Sequence, residues 1–285
     1  MDWVNGIREA MRFIEENITE DLAIEEIAGK AFLSPYYFQK GFGMLCGHTV
    51  GEYIRSRRLS LAGSELTVAG GKIIDIALKY GYDSPDSFTK AFTRFHGATP
   101  TQVRKEGAMA RSFSPLKIKL TLEGGTVLDY RITQKEAFTV TGVAKTVKYD
   151  KAFEELPKFW TEYFQSGKNE VVCGMFGVCI EGTAGPGEFE YLIADTYKPW
   201  METPEGFVTR IIPKHTWAVF ACVGPMPAAL QDVNRKIYSE WLPACKEYEI
   251  ADGLDIEMYS DPQDFPKGNQ DPKYYSEIWI PVKKK

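Results

Sequence analysis

The 285-residue sequence has no run approaching the ~20 apolar residues of a membrane-spanning helix, so no bilayer crossing is expected. Cysteine is scarce and poorly spaced for chemistry: Cys46, Cys173, Cys179, Cys222 and Cys245 form no C-x-x-C pair. An odd, scattered set argues against a disulfide framework and a zinc knuckle, and neither a metal nor a cofactor is expected. There are only three histidines, His48, His96 and His215. The chain also lacks the G-x-S-x-G, H-E-x-x-H, Walker and G-x-G-x-x-G patterns that carry hydrolytic, metallopeptidase and nucleotide chemistry. The N-terminus, MDWVNGIREAMRFIEEN, shows neither the apolar stretch nor the cleavage site of a secretory signal, so a reducing cytoplasm is the expected location.

What is present is a soluble globular composition, 44% hydrophobic and 26% charged, in a length that suggests two domains at roughly 150 residues each. The net charge of −5 hides a gradient. Residues 1–30 carry eight acids against three bases, residues 31–105 ten bases against five acids, and 111–285 are acidic again. A basic block inside an acidic chain is an electrostatic footprint for duplex DNA, although a solvated helical surface has the same charge. Aromatics divide differently: five of the six tryptophans lie beyond residue 110. GAMARSFSPLK, near 107–117, lacks helical periodicity and reads as the linker.

The basic block repeats itself. At an offset of fifty, SPYYFQKGFGMLCGHT (34–49) lies over SPDSFTKAFTRFHGAT (84–99), with seven of sixteen positions identical. Each copy reads as helix, tight turn, helix, the second helix starting at a serine cap with proline in its first turn. Phe38/Phe42 and Phe88/Phe92, spaced i, i+4, must face inward. Tyr36, Gln39 and Lys40 in one copy, and Asp86, Ser87, Thr89 and Lys90 in the other, are then left facing outward, where such side chains can read base edges. TVGEYIRSRRLSLAGSEL between the copies reads as a helix of about 17 residues, a strut ~25 Å long. It can hold two reading helices about one duplex turn apart. Arg55, Arg57 and Arg58 on this strut are candidates for phosphate contacts or for internal salt bridges.

These motifs, above all KIIDIALKYGYDSPDSFTKAFTRFHGATPTQVRK, resemble the DNA-binding domain of the AraC/XylS regulator family over about residues 4–106. The resemblance implies base contacts from the third and sixth helices, hence from Tyr36, Gln39, Lys40, Asp86, Ser87, Thr89 and Lys90, with promoter DNA as partner. Asp86 departs from a phosphate-attracting pattern, although it can accept from cytosine.

From about 126 the period falls to two, and strand-like segments such as FTVTGVAKTV, FEYLIADTY, TWAVFACVG and LDIEMYS alternate with the helices FEELPKFWTEYFQSG and PAALQDVNRKIYSEWLP. The order of elements suggests two α+β halves. In the final strand, alternation places Tyr275, Glu277 and Trp279 on one face, a carboxylate between aromatics that suits an organic cation. An acid on a solvated face, or one satisfied by a neighbouring Tyr or Arg, is the plainer reading. The ending YYSEIWIPV, with IEMYSD before it, resembles the GyrI-like (SH2-like) effector-binding domain over about 126–283. That resemblance implies a small-molecule cleft centred on Glu277, with Tyr191, Trp217 and Trp279 as aromatic walls and an aromatic or lipophilic cationic effector. Glu257 is expected to support the sheet or a loop.

The expected fold is α+β with two domains: an all-α double helix-turn-helix over 1–108, a linker over 109–125, and an antiparallel, pseudo-duplicated GyrI-like domain over 126–285. The expected function is transcription regulation by an effector, through a change in promoter affinity or in contact with RNA polymerase, without enzyme activity. Some stand-alone GyrI-like proteins are hydrolases, so a reaction centred on Glu277 is the alternative.

Overall fold

The structure, a computed structural model, describes residues 3–68, 72–106, 108–117, 128–200 and 202–285. Helices come first: α1 (Trp3–Glu16), α2 (Ile24–Lys30), α3 (Pro35–Cys46), α4 (Val50–Val68), α5 (Ile73–Lys79), α6 (Pro85–His96) and α7 (Pro100–Glu106). Next come β1 (Tyr130–Lys135), β2 (Phe138–Lys148), α8 (Ala152–Gln165), β3 (Phe176–Ile180), β4 (Glu188–Thr196) and β5 (Val208–Ile212). The chain ends with β6 (His215–Val223), α9 (Ala228–Lys236), β7 (Tyr248–Ile250), β8 (Leu254–Tyr259) and β9 (Tyr275–Lys284).

The sequence repeat is a repeat of helix ends. Ser34 Oγ accepts from the Tyr37 N–H at 3.4 Å, and Ser84 Oγ from the Ser87 N–H at 3.2 Å. Gly47 and Gly97, with φ of 68° and 79°, follow the two helices in the left-handed region that L side chains avoid. A reciprocal capping box then opens the next helix in each copy, Thr49 with Glu52 and Thr99 with Gln102.

Compactness cuts across this repeat. One unit comprises Met1–Phe32 and Cys46–Leu122, and the other Leu33–Leu45 with Glu123–Lys285. α3 therefore packs with the second unit, whereas the sequence places it in a domain over 1–108. In the first unit, Phe88 and Phe92 of α6 are fully buried with Leu59, Leu66, Ile76, Tyr80 and Val103. Arg57 of α4 ties down α1 by donating to Glu15 at 2.7 and 2.9 Å. The start of the expected linker is bound to the helices: the Arg111 N–H donates to His96 Nδ1 at 2.9 Å, and the Phe113 N–H to Ser60 Oγ at 2.8 Å. Its remainder, 118–125, lies outside the described residues.

The strands of the second unit form one antiparallel sheet in the order β1-β6-β9-β8-β3-β4-β2-β5, with β7 beside β9. This order reads the same from either end: β3-β4-β2 mirrors β8-β9-β6, and the first strand of each half, β1 or β5, pairs with the other half. The two-half expectation therefore holds, with exchanged edges. Helices α8 and α9 cover one face, where Trp160 of α8 bonds Tyr191 and α9 packs on β6. The other face buries Val140, Val178, Leu192, Trp217 and Ile256 completely or nearly so. The sheet does this by curling. Four strand spacings separate β2 from β9, ~19 Å in a flat sheet, yet the Phe138 and Trp279 ring centroids are 6.5 Å apart.

Candidate functional site

Inside the curl, the alternation of β9 and its register with β6 put Glu277, Trp279 and Trp217 on one face, as expected. Trp217 and Trp279 are ring neighbours at 5.9 Å, with Phe138 and Phe176 completing an aromatic wall around Trp279. Glu277 is only 4% exposed, and its oxygens accept from Tyr275 Oη at 2.6 Å, Trp279 Nε1 at 2.6 Å and Arg131 at 2.8 Å. Burial pushes this carboxyl up, but the bonds from Tyr275, Arg131 and Trp279 outweigh it, so it lies below the ordinary carboxylate range. Arg131 reaches Glu277 from β1 across β6, and four residues on, Lys135 holds its ammonium 4.1 Å from the Trp279 ring centroid. Burial lowers Lys135, against the pull of Glu277. A buried acid, an aromatic face and two cations supplied by the chain thus form one cluster. The sequence reading missed Arg131 and Lys135, although their i, i+4 spacing in YRITQK put two cations on one strand face.

Tyr191 does not belong to this cluster. It pairs with Cys179 and faces the helices, accepting from Trp160 Nε1 at 2.8 Å. Its hydroxyl fits because residue 177 is glycine, where a Cβ would lie 2.2 Å away. Half-buried Glu257 shares this face, accepting from Tyr259 Oη at 2.6 Å, and Trp160 stands edge-on to Tyr259 at 5.3 Å. Burial raises the Glu257 carboxyl despite nearby Lys40. The aromatic expectation at Tyr191 is therefore corrected to the opposite face, which also carries a second acid, Glu257.

The nucleic-acid candidates also divide. Asp86, Ser87 and Lys90 of α6 are exposed and Thr89 is half-buried, so this helix presents its expected face. Tyr36 of α3 is 6% exposed, and Lys40, with its side chain at 11%, is ion-paired to Asp255 at 2.6 Å. Gln39 is half-buried, with its Nε2 buried. In this conformation the outward orientation expected for Tyr36, Gln39 and Lys40 is replaced by packing on the helix side of the sheet. Arg57 is likewise corrected to a structural role, bound to Glu15 and to the Phe113 carbonyl. Arg58 donates to the Ile18 and Glu20 carbonyls, and Arg55 stays exposed.

Capped, duplicated helix-turn-helix copies joined in one chain to an antiparallel α+β sheet domain define a two-domain regulator of the AraC type with an effector-binding domain. Residues 27–106 match the helix-turn-helix domain family, and residues 131–282 match the family described as integron-associated effector binding protein. The chain belongs to that effector-binding family, with an AraC-type DNA-binding region before it. It is 25% identical over 296 residues to the transcriptional regulator Rob of Salmonella typhimurium, covering 100% of both chains. Against the right origin-binding protein of Escherichia coli K12 the identity is 24% over 298 residues, again covering 100% of both. Among solved structures, SAV2435 bound to tetraphenylphosphonium matches 54% of this chain and 94% of its own, at 22% identity and a TM-score of 0.48. Among the described residues no group of side chains is arranged to hold a metal, and no helix is long and apolar enough to cross a membrane.

Proposed function

We propose that the protein is an effector-responsive regulator whose curled sheet takes an aromatic or lipophilic cation at Glu277, and whose α3 and α6 dock on promoter DNA. The observation that carries the effector reading is the pair of cations, Arg131 on the Glu277 carboxylate and Lys135 over the Trp279 ring. A buried carboxylate needs a counter-charge, and an indole face attracts one. Both attractions are met by flexible, partly exposed side chains that an entering cation can push back into water. The half-exposed arginine regains water on leaving, and the entering cation takes over its charge on the buried Glu277. Trp217, Phe138 and Phe176 then offer flat apolar contact, and Glu277 supplies the charge.

Titration with tetraphenylphosphonium, followed by tryptophan fluorescence, tests this reading. The wild-type protein quenches saturably, Glu277→Gln binds about tenfold or more weakly, and Arg131→Gln binds more tightly because its competing cation is gone. Equal quenching by wild type and Glu277→Gln sinks the carboxylate's role. For the DNA half, a gel shift on the region upstream of the protein's own gene shows affinity that falls steeply with salt.

A further inference from the structure

A helix offers DNA a small set of groups: backbone N–H at its N-terminus for phosphate, lysine for phosphate or guanine, and side-chain hydroxyls for either. On α3 each of these is already engaged within the second unit. The Tyr36 N–H, in the first turn, donates to Glu181 Oε1 at 2.6 Å. Lys40 Nζ donates to Asp255 Oδ2 at 2.6 Å. Tyr36 Oη donates to Cys179 Sγ at 3.1 Å, and Tyr37 Oη to the Leu254 carbonyl at 2.5 Å. The Tyr36 ring lies against Phe189 at 5.3 Å. Glu181 is fixed by a second donor, Tyr149 Oη, at 2.6 Å, so an anion waits at the helix N-terminus as a phosphate would.

We propose that this end of the sheet, Glu181 and Cys179 of β3 and its turn with Asp255 of β8, is an internal substitute for DNA that holds the reading face of α3 until a duplex displaces it. The proposal rests on the reading of Tyr36, Gln39 and Lys40 as DNA contacts, and adds how that reading is controlled.

Two buried polar atoms weaken the docked contact. Gln39 Nε2 on α3 and Asp255 Oδ1 on the sheet are both buried without a hydrogen-bond partner. Each one left unpaired costs stability in the docked state. Gln39 has an adenine edge or a phosphate as its natural partner only once α3 is free. Lys40 stays paired on release, exchanging the Asp255 carboxylate for a phosphate or a guanine edge. A polyanion that meets all three α3 residues at once can therefore compete.

Alkylation of the wild-type protein, read by peptide mass spectrometry, tests the displacement. Cys179 is 6% exposed beneath Tyr36, and Cys222, fully buried in the same sheet, reports any general unfolding. Saturation with the upstream DNA fragment raises the Cys179 alkylation rate about tenfold and leaves Cys222 unchanged. Asp255→Asn raises affinity for that fragment about tenfold, within the usual 5–150-fold range of intramolecular coupling. Cys179 equally protected with and without bound DNA overturns the proposal, and that measurement decides alone if Asp255→Asn does not fold. Lys40→Ala weakening DNA binding while folded Asp255→Asn leaves it unchanged overturns the restraint and leaves the reading of α3 intact. Neither variant changing affinity, while Lys90→Ala lowers it, overturns both.

Discussion

α3 and α6 are copies of one sentence set in different paragraphs. Both start at a serine cap and proline, both bury a phenylalanine pair, and both end at a left-handed glycine followed by a capping box. Their outward faces then diverge. Lys90 of α6 stands in solvent, whereas Lys40 of α3 is spent on Asp255. Local sequence therefore specifies the helix and its buried side, while the fate of the polar side is set by whatever anion the rest of the fold brings near.

The largest expected effect separates the two lysines. Lys40→Ala leaves Asp255, whose side chain is 1% exposed, without its counter-charge, and lowers stability by about 3 kcal/mol. Lys90→Ala, on an exposed face, changes stability by no more than about 0.5 kcal/mol. Urea denaturation of the two variants measures this directly, and equal midpoints erase the distinction between the copies. DNA binding gives the complementary reading, since Lys90→Ala reduces the salt slope by about one.

The division between legible and illegible features follows the range of the interactions. Caps, turns and the Phe pairs act over three to five residues, so the repeat showed them in duplicate. The face of Glu277 was also legible, because period-two alternation links it to Trp279 within one strand. The resemblance implies Tyr191 as a wall of the Glu277 cleft, and alternation cannot test this because it orders residues only within a strand. The pairing of Tyr191 with Cys179, and of β3 with β8, is needed to relate one strand's faces to another's. Lys40 lay furthest out of reach: its partner Asp255 is 215 positions away, and nothing near either residue announces the other.

A middle-sized effect probes what the copies share. Gly47→Ala and Gly97→Ala each force a side chain into positive φ, at a cost of about 1 kcal/mol. Near-equal losses in thermal denaturation are expected, because the strain is local and ignores which unit surrounds the helix. A loss confined to one variant breaks the equivalence of the two helix ends.

The smallest effect is confined to acid pH and to the second copy. At the fiftieth offset Cys46 matches His96, and burial pushes the Cys46 thiol up to about 11, leaving it neutral throughout the working range. His96 is 4% exposed; its Nδ1 accepts from the Arg111 N–H, which leaves Nε2 to donate to the Leu59 carbonyl at 2.9 Å. Burial lowers its proton affinity, the Leu59 carbonyl opposes this, and Arg111 reinforces it. The unfolded chain, whose histidine titrates near 6.5, thus binds the proton more readily than the folded one. The resulting contribution to stability is complete above about pH 6.5 and is lost as pH falls from there toward the lower folded value. His96→Cys, which writes the first copy's residue into the second, costs stability at pH 7 through its lost hydrogen bonds. It also loses less than wild type between pH 7 and pH 5, as the urea midpoints at the two values should show. Parallel losses in the two proteins assign the acid sensitivity to other groups and leave His96 with a packing role alone.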